Sequence, residues 1–203
     1  MANFPPITDR SFGIYTIRYL PSLTLSTPPP VPSTENTEVL LIHQKTIWES
    51  VPPFWCFPKG HAETGDASTL HTAIRELEEE TSLKVKPEDV LRFKPAEHSG
   101  EIEGQDSKDW DGSFSERYIN PVRKNGKEVR YWLALVGKEE GEKEIKLQEK
   151  EVAGYKWCSW DEAAEKVTYD ETKATLRRAV AMLEGYGKVD GEVKAKVRDS
   201  NGQ

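Results

Sequence analysis

The sequence predicts an α/β fold in which helices lie on the faces of a mixed β-sheet. Apolar or alternating runs of strand length recur along the chain, and segments with helical spacing lie between and after them. The two kinds of segment do not follow the regular strand–helix–strand order of a doubly wound parallel sheet. A chain of 203 residues suits one domain with a sizeable core. We assign that domain to residues 8–187 and expect flexible tails at 1–7 and 188–203.

The predicted strands are defined by apolar runs. Residues 11–20 and 38–44 form the first two, and the Pro-, Ser- and Thr-rich segment between them indicates a surface loop, because proline cannot donate to a β-ladder. A turn and a further strand are expected at 86–95. The segment 127–137 alternates most regularly, so we expect it in the middle of the sheet, and a last strand is expected at 153–160.

Three helices are predicted. The first contains the acidic run 75–80, the second covers 161–167, and the third covers 170–185 and ends at Gly185, since glycine commonly terminates helices. The third helix has apolar residues at helical spacing, namely Ala174, Leu176, Ala179, Val180 and Leu183. The segment 102–118 is polar and contains glycine, so we expect an irregular, mobile insert there.

Charge and cysteine content exclude several classes of protein. Lys and Arg total 28 against 35 Asp and Glu, so no global positive field would attract nucleic acid or an anionic membrane. No apolar run is long enough to cross a membrane, and the first residues lack the order of a secretion signal. Cys56 and Cys158 form no metal-binding pattern and no disulfide framework. We therefore expect a soluble protein of the cytoplasm, or of the nucleus.

The acidic run 75–80 is the main indication of function. Glu76 lies three residues before Glu79 and four before Glu80, so their carboxylates project from one face of a helix. The repulsion costs only roughly a few tenths of a kcal/mol per pair, so an ordinary solvated helix is one explanation. The other is a bound cation, because Mg²⁺ prefers carboxylate oxygens and bridges proteins to substrate phosphates. A loop just upstream can aim Lys59 toward the same space.

The segment 60–83 resembles the Nudix box, which joins a glycine loop and a glutamate to a helix of the pattern R-E-U-x-E-E-x-G-U, where U is aliphatic. The R-E-x-x-E-E part is intact from Arg75 to Glu80. Three departures are visible. Asp66 stands in place of the first glutamate, one extra residue separates it from Arg75, and Ser82 replaces the closing glycine. The insertion precedes the charged part of the helix, where a loop can absorb it.

Other segments are similar to the asymmetric diadenosine tetraphosphate hydrolase branch of that family. FWCFPKGHAETGD resembles its approach to the box, VRYWLALV resembles its Y-W-L-A strand, and residues 147–179 resemble its later tyrosine, tryptophan and lysine pattern. The likeness covers roughly residues 11–185 and implies a Nudix-type α/β/α sandwich around a mixed β-sheet.

The resemblance also implies a set of site residues and a metal, Mg²⁺ or Mn²⁺. Arg75 would orient the glutamates, and Glu151, with Glu149 as its fallback, would be an added metal ligand or the base that activates water. The catalytic group would be Arg75, Glu76, Glu79 and Glu151. The metal ligands would be Glu76, Glu79, Glu80, Glu151 and the carbonyl of Gly60. The substrate-binding residues would be Lys59, His61, Tyr131, Tyr169 and Lys173.

Several alternatives stay open at this point. The resemblance implies hydrolysis of a nucleoside diphosphate compound, most specifically diadenosine tetraphosphate to AMP and ATP. A diphosphoinositol polyphosphate, phosphoribosyl diphosphate or capped RNA end is a second possibility, although inositol pyrophosphates would need several basic residues, and few stand near the box in sequence. A catalytically silent nucleotide-binding or interaction module is a third, favoured by the shifted box and Ser82. Glu151 could also be a plain surface residue, and Tyr131 and Tyr169 plain packing residues.

Overall fold

The computed structural model describes residues 4–23, 28–46, 51–93 and 111–199, with side chains described as far as residue 186. The strands are β1 (Ile7–Tyr19), β2 (Thr37–Gln44), β3 (Phe54–Cys56), β4 (Lys59–Gly60), β5 (Phe114–Ile119), β6 (Gly126–Leu135) and β7 (Val152–Cys158). The helices are α1 (Thr69–Thr81), α2 (Lys138–Gly141), α3 (Trp160–Lys166) and α4 (Asp170–Asp199), and short 3-10 helices cover Pro21–Leu23 and Pro87–Asp89.

All seven strands belong to one mixed sheet. Its main path runs β3-β2-β1-β6-β5, while β4 pairs with β1 and β7 pairs with β2. Among the described strands, β1 and β6 run parallel and the other pairs are antiparallel. Strand β6 has a partner on each side, as its regular alternation predicts.

Helices cover both faces of this sheet. Phe12 and Ile14 of β1 pack in one buried cluster with Leu77 of α1, whereas Ile17 of the same strand packs in a second cluster with Leu176 of α4. Neighbouring residues of a strand point to opposite faces, so β1 supplies both clusters. We call these two sides the α1 face and the α4 face. The arrangement confirms the α/β/α sandwich around a mixed sheet.

Most of the predicted elements are present. The strands predicted at 11–20, 38–44, 127–137 and 153–160 are confirmed as β1, β2, β6 and β7. The strand predicted at 86–95 is wrong for its described residues, 86–93. Pro87–Asp89 forms a 3-10 turn, and one isolated bridge joins Val90 to Ala134. Pro87 has no N–H to give to a ladder, and the apolar residues after it fill the core with this single bridge to β6 instead of a continuous strand.

Two further predictions need correction. The irregular insert predicted at 102–118 is wrong from Phe114 onward, where β5 begins, while residues 94–110 lie outside the described part of the chain. The predicted helix end at Gly185 is also wrong, because α4 continues to Asp199 through part of the predicted tail. A single glycine costs a helix about 1 kcal/mol and does not by itself end it. No helix in the described ranges is long and apolar enough to span a bilayer.

Candidate active site

The two-residue strand β4 separates two kinds of chemistry. Lys59 pairs with Gly13 of β1 and its Cβ lies close to that glycine, so its side chain points to the α4 face. Gly60 points to the α1 face, where a Cβ on this residue would lie 2.0 Å from Oε2 of Glu76. Only a glycine therefore lets β4 and the carboxylate of Glu76 approach each other this closely.

The three predicted metal ligands on α1 differ in exposure. Glu80 is buried, with 1% of its surface exposed. The side chain of Glu76 is 14% exposed and that of Glu79 is 45% exposed. The backbone N–H of Lys59 donates to Oε2 of Glu80 at 2.9 Å, which ties the helix to β4. Exposure to solvent on this face thus decreases from Glu79 through Glu76 to Glu80.

Burial shapes the electrostatics of this face. Burial raises the pKa of Glu80 to about 8, because Lys59 offsets only part of the desolvation and the charges of Glu76 and Glu151 oppose ionisation. Burial also raises the pKa of Glu76, against the lowering effect of Arg75. Both carboxylates are therefore short of positive charge. A cation among them would relieve this deficit.

Arg75 holds the glutamates and the preceding loop together. Its Nη1 lies 3.0 Å from Glu76 Oε1 and 3.1 Å from Glu79 Oε2, and its Nη2 donates to the carbonyl of His61 at 2.8 Å. Two further contacts go to Asp66, at 3.0 and 3.1 Å, and Nη1 lies 4.0 Å from Oε1 of Glu63. Arg75 therefore links two of the glutamates to the loop that precedes α1.

Asp66 occupies the first-glutamate position of the box as a loop anchor. Besides Arg75, its carboxylate accepts hydrogen bonds from the N–H of Glu63 at 2.9 Å and the hydroxyl of Thr72 at 2.8 Å. The hydrogen bonds from Arg75 and from the Glu63 backbone hold the pKa of Asp66 well below its usual range. The substitution and the extra residue are therefore absorbed before the first charged residue of the helix.

Ser82 replaces the closing glycine of the box and keeps its conformation. Its φ of 62° is in the left-handed region, and its N–H donates to the carbonyl of Glu78 at 2.7 Å. A residue with a Cβ pays about 1–2 kcal/mol for this conformation. The Ser82 hydroxyl accepts a hydrogen bond from the N–H of Lys146 at 3.0 Å, which offsets part of that cost.

Glu151 lies on the turn that precedes β7, beside the end of β2. Its carbonyl accepts a hydrogen bond from the N–H of Lys45 at 2.7 Å, and its side chain is exposed. The charge of Glu151 contributes to the raised pKa values of Glu76 and Glu80, so its carboxylate lies within electrostatic reach of both. Glu149, the fallback, is not among the main causes of either pKa shift.

Lys59 reaches inward on the α4 face. Its ammonium donates to Oε1 of Gln44 and lies 3.7 Å from Sγ of Cys56. Burial acts to lower the pKa of Lys59, but the charges of Cys56 and Glu80 outweigh it and the pKa is raised. Lys59 is therefore a firmly charged ammonium at the base of the α4 face.

His61 belongs to a cluster centred on Asp9. The His61 Nε2 lies 2.9 Å from Asp9 Oδ1, and Lys127 Nζ lies 3.5 Å from the same oxygen. Arg123 Nη1 and the amide of Asn120 lie 4.0 and 3.4 Å from Asp9 Oδ2. We call these five residues the Asp9 cluster. One buried carboxylate is shared by several donors, which leaves the cluster with an excess of positive charge.

Asp9, Asn120, Arg123 and Lys127 were not among the predicted site residues. The pairing of β1 with β6 places Asp9 opposite Lys127, and the pairing of β6 with β5 places Lys127 opposite Tyr118. Burial and the nearby charge of Lys59 both lower the pKa of Lys127, so the two lysines lie in one field. Asp9 and Lys127 are brought together only by the pairing of β1 with β6, which neither residue type nor spacing in the sequence indicates.

The two predicted aromatic residues differ in burial. Tyr131 is fully buried, its hydroxyl donates to Glu116 at 3.2 Å, and its ring meets Tyr15 edge to face at 5.0 Å. Its assignment as a substrate-stacking residue is therefore corrected to a core residue. Tyr169 is 38% exposed, and the ring of Phe54 lies 5.0 Å away edge to face.

Lys173 stands at the start of α4, one turn after Tyr169. The N–H of Lys173 donates to the carbonyl of Tyr169 at 3.0 Å. The Lys173 ammonium lies 3.9 Å from the exposed carboxylate of Asp170, a contact of little energetic weight. The Lys173 side chain is therefore available to a phosphate on the α4 face.

The chemistry of the acidic face fits a hard divalent cation. Glu76, Glu79 and Glu80 offer only oxygen donors, and the buried Glu80 lacks full compensation of its charge. Within the described ranges, no three His, Cys, Asp or Glu side chains converge closely enough to surround an ion. Arg75 contacts one oxygen of Glu76 and one of Glu79 through the same Nη1. The oxygen donors for a cation are thus present on this face of α1.

Known proteins resemble this chain in sequence. The family model of the Nudix domain matches residues 31–180. The asymmetrical bis(5'-nucleosyl)-tetraphosphatase of Rattus norvegicus is 36% identical over 129 residues, which cover 64% of this chain and 71% of the relative. The protein of the same description from Mus musculus is 33% identical over 129 residues, with the same shares of 64% and 71%.

Solved structures share its fold. A binary complex of a C. elegans Ap4A hydrolase has a TM-score of 0.61 at 23% identity and covers 88% of this chain and 100% of that one. The Nudix domain of Shewanella oneidensis NrtR, solved with ADP ribose, has a TM-score of 0.55 at 14% identity and covers 88% of each chain. At these identities the two structures establish the fold alone.

The family match covers most of the chain and includes the whole box, α1 and the Glu151 turn. The intact R-E-x-x-E-E helix, the α/β/α sandwich and the two relatives agree with it. The chain therefore belongs to the Nudix family and is a pyrophosphohydrolase of that family.

Proposed function

We propose that this pyrophosphohydrolase is metal-dependent and splits diadenosine tetraphosphate asymmetrically into AMP and ATP. The observation that carries the proposal is the meeting at β4 of the carboxylates of Glu76 and Glu80 with the ammonium of Lys59. The carboxylates on one side of β4 can hold a metal and the ammonium on the other side can bind a phosphate, which suits a metal-bound polyphosphate chain. The sequence similarity to the two asymmetrical tetraphosphatases supports this substrate.

The residues that would hold Mg²⁺ or Mn²⁺ are Glu76, Glu79, Glu80, Glu151 and the carbonyl of Gly60. When bound, such a metal neutralises phosphate oxygens and lowers the pKa of a bound water. Arg75 acts on this set as a positioning residue, because it contacts Glu76, Glu79 and the His61 carbonyl at once.

The α4 face would bind the rest of the substrate. Lys59 and Lys127 present ammonium groups to the phosphate chain and His61 presents its imidazole, and Asp9 fixes the direction of His61 and Lys127. Tyr169 offers a ring face to an adenine base, and Lys173 stands one turn further along α4. The substrate would therefore pass over β4 from the acidic side to the basic side.

Glu151 would act as the general base. Its carboxylate is exposed and lies within electrostatic reach of Glu76 and Glu80. A base in this place accepts a proton from the attacking water as its oxygen bonds to phosphorus. The phosphoanhydride bond then breaks, and the leaving phosphate keeps the electron pair. A catalytic base typically contributes about 10²–10⁴-fold to the rate.

The structure weakens two arguments for a silent module. Asp66 anchors the shifted box through Arg75 and Thr72, and Ser82 adopts the glycine conformation. Neither departure displaces Glu76 or Glu80 from β4. We therefore favour an active enzyme over a module that binds nucleotides without turnover.

A diphosphoinositol polyphosphate is a second candidate substrate, and one observation favours it. Few basic residues stand near the box in sequence, but the fold brings Arg123 and Lys127 to His61 through Asp9. A densely phosphorylated ring would suit this excess of positive charge. Diadenosine tetraphosphate remains the first candidate because the similar relatives are named bis(5'-nucleosyl)-tetraphosphatases.

The experiment is a product analysis with purified protein and Mg²⁺ or Mn²⁺. Diadenosine tetraphosphate, a diphosphoinositol polyphosphate, phosphoribosyl diphosphate and capped RNA are offered separately, and products are resolved by anion-exchange chromatography. We expect AMP and ATP in equal amounts from the first compound. Two ADP molecules, faster turnover of another compound, or binding without turnover would each refute the proposal.

A further inference from the structure

Gln44 lies where the two sides of β4 meet, and neither the box nor the predicted site contains it. It is the last residue of β2 and pairs with Phe54 of β3. Its side chain is half-buried and extends toward the residues on both sides of β4. The backbone shifts register between His43 and Gln44, at the pairing with β7. Such an irregularity re-aims a side chain at the end of a strand.

The Gln44 amide bridges the two groups of opposite charge. Its Nε2 donates to Oε1 of Glu80 at 3.4 Å, and its Oε1 accepts from the ammonium of Lys59. The same Oε1 lies 3.4 Å from Sγ of Cys56. A second link closes the ring, because the N–H of Lys59 donates to the other oxygen of Glu80. Gln44, Lys59 and Glu80 therefore form a closed hydrogen-bonded circuit.

The chemistry of this position calls for an amide. An ammonium can only donate and an ionised carboxylate can only accept, so the group between them must do both. A carboxylate at this position would repel Glu80, and an apolar side chain would leave one oxygen and one ammonium without these bonds. The Gln44 amide meets both needs without adding charge.

We propose that Gln44 is a positioning residue that fixes Lys59 relative to Glu80. It thereby holds the phosphate bound by Lys59 at the correct distance from the metal bound by Glu80. The proposal rests on the proposed function, because it takes Glu80 as a metal ligand and Lys59 as a phosphate ligand. Residues that orient metal ligands through hydrogen bonds commonly affect both metal affinity and turnover.

The test compares four proteins: wild type, Gln44→Leu, Gln44→Met and Cys56→Ala. Mn²⁺ is titrated into each substrate-free protein and free Mn²⁺ is followed by electron paramagnetic resonance, while kcat and KM are measured separately on the substrate that the wild type hydrolyses. Thermal unfolding verifies that each variant is folded. Cys56→Ala is the matched control, since it removes the thiol contact to Gln44 and Lys59 but leaves the amide bridge.

We expect Gln44→Leu and Gln44→Met to weaken Mn²⁺ affinity and lower kcat/KM by about 10–100-fold each. Cys56→Ala is expected to keep both values within about threefold. Wild-type Mn²⁺ affinity and kcat/KM in both folded Gln44 variants would overturn the inference alone. An equal loss in Cys56→Ala would overturn it as well, because general packing would then be the cause. A wild type that neither binds Mn²⁺ nor turns over would refute the proposed function, and the role of Gln44 with it.

Discussion

The acidic face of α1 and the Asp9 cluster flank the same two-residue strand, β4, and the pKa values of their buried carboxylates are shifted in opposite directions. On α1, burial dominates and raises the pKa of Glu80 to about 8. In the Asp9 cluster, burial also acts to raise the pKa of Asp9, but the contacts from His61 and Lys127 outweigh it and the pKa is lowered. One region lacks positive charge and the other has an excess of it.

This difference assigns a separate task to each region. The acidic face is incomplete without a cation, so its residues should control the chemical step. The Asp9 cluster is held in place by its own contacts before any ligand arrives, so its cations should control substrate binding. The comparison therefore predicts that variants of the first region lower kcat and that variants of the second raise KM.

Glu80→Gln is the most severe test of this division. We expect kcat to fall about a thousandfold or more, because a metal contributes several kcal/mol and each ~1.4 kcal/mol is a factor of ten. The melting temperature should stay the same or rise, since the buried ionisable group becomes neutral. Steady-state kinetics and calorimetry measure the two effects. Activity above one tenth of the wild-type value would remove Glu80 from the metal ligands.

Gly60→Ala sharpens the comparison by displacing a carboxylate without removing it. The new Cβ would lie 2.0–2.4 Å from the carboxylate atoms of Glu76, so that side chain must move. We expect kcat to fall about a hundredfold, as for displaced catalytic groups, with KM nearly unchanged. Gly65→Ala is the control, because a Cβ there meets nothing within 4 Å. Equal kinetics for the two variants would contradict the placement of Glu76.

Lys127→Met tests the other side of β4. We expect KM for diadenosine tetraphosphate to rise by at least about tenfold, with kcat within about threefold, because one charged contact to phosphate is worth at least about 1.5 kcal/mol. Lys124→Met, in the same hairpin, is the control and should leave both constants unchanged. A fall in kcat without a rise in KM would place Lys127 in the chemical step and break the division.

The pH dependence of stability separates the two regions without any substrate. Glu80 has its pKa raised from 4.5 to about 8 on folding, so the folded state retains a proton that the unfolded state loses between these values. Its contribution to the free energy of unfolding therefore falls as the pH rises through this window. Thermal scans of metal-free protein should show this fall, and Glu80→Gln should flatten it. Mn²⁺ should raise the melting temperature most at the alkaline end.

Asp9 has the opposite sign in the same measurement. Its lowered pKa means that its stabilising contribution is present above the unfolded value and is lost as the pH falls through the folded value. Asp9→Asn should therefore remove an acid-side loss of stability and leave the alkaline limb unchanged. A change in the alkaline limb of the stability curve of Asp9→Asn would show that the two regions are electrostatically coupled.

Ser82→Gly has the smallest expected effect. Relief of the left-handed conformation is worth about 1–2 kcal/mol, and loss of the hydrogen bond from Lys146 costs about 1 kcal/mol. We expect a rise of at most about 1 kcal/mol in the free energy of unfolding, with kcat and KM unchanged. Chemical denaturation measures it. A large kinetic effect would mean that the end of α1 tunes the acidic face after all.

The acidic face could be predicted from the sequence because it is local. The spacing of Glu76, Glu79 and Glu80 on one helix fixes their common side, and Gly60 and Lys59 precede them in one loop. The Asp9 cluster could not be predicted, because it depends on the parallel pairing of β1 with β6 across more than a hundred residues. Nothing near Asp9 in the sequence indicates that partner.

The sequence also left the role of Tyr131 open, for a physical reason. Both faces of β6 are covered, so its alternation does not show which residues line a pocket and which fill the core. Tyr131 proves to be enclosed by Tyr15 and Phe114. The compensation at Asp66 was equally hidden, since its value lies in contacts to Arg75 and Thr72 that only the folded loop creates.

The shortness of β4 has a consequence for how this chain tolerates change. Lys59 and Gly60 point to opposite faces because they are consecutive residues of one strand. Inserting or deleting one residue between Pro58 and His61 would therefore turn the ammonium toward the α1 face and the bare backbone toward the α4 face. The loop that follows already carries one additional residue without harm to the helix. Length variation among natural or engineered descendants of this protein should therefore accumulate after His61 and be absent between Pro58 and His61.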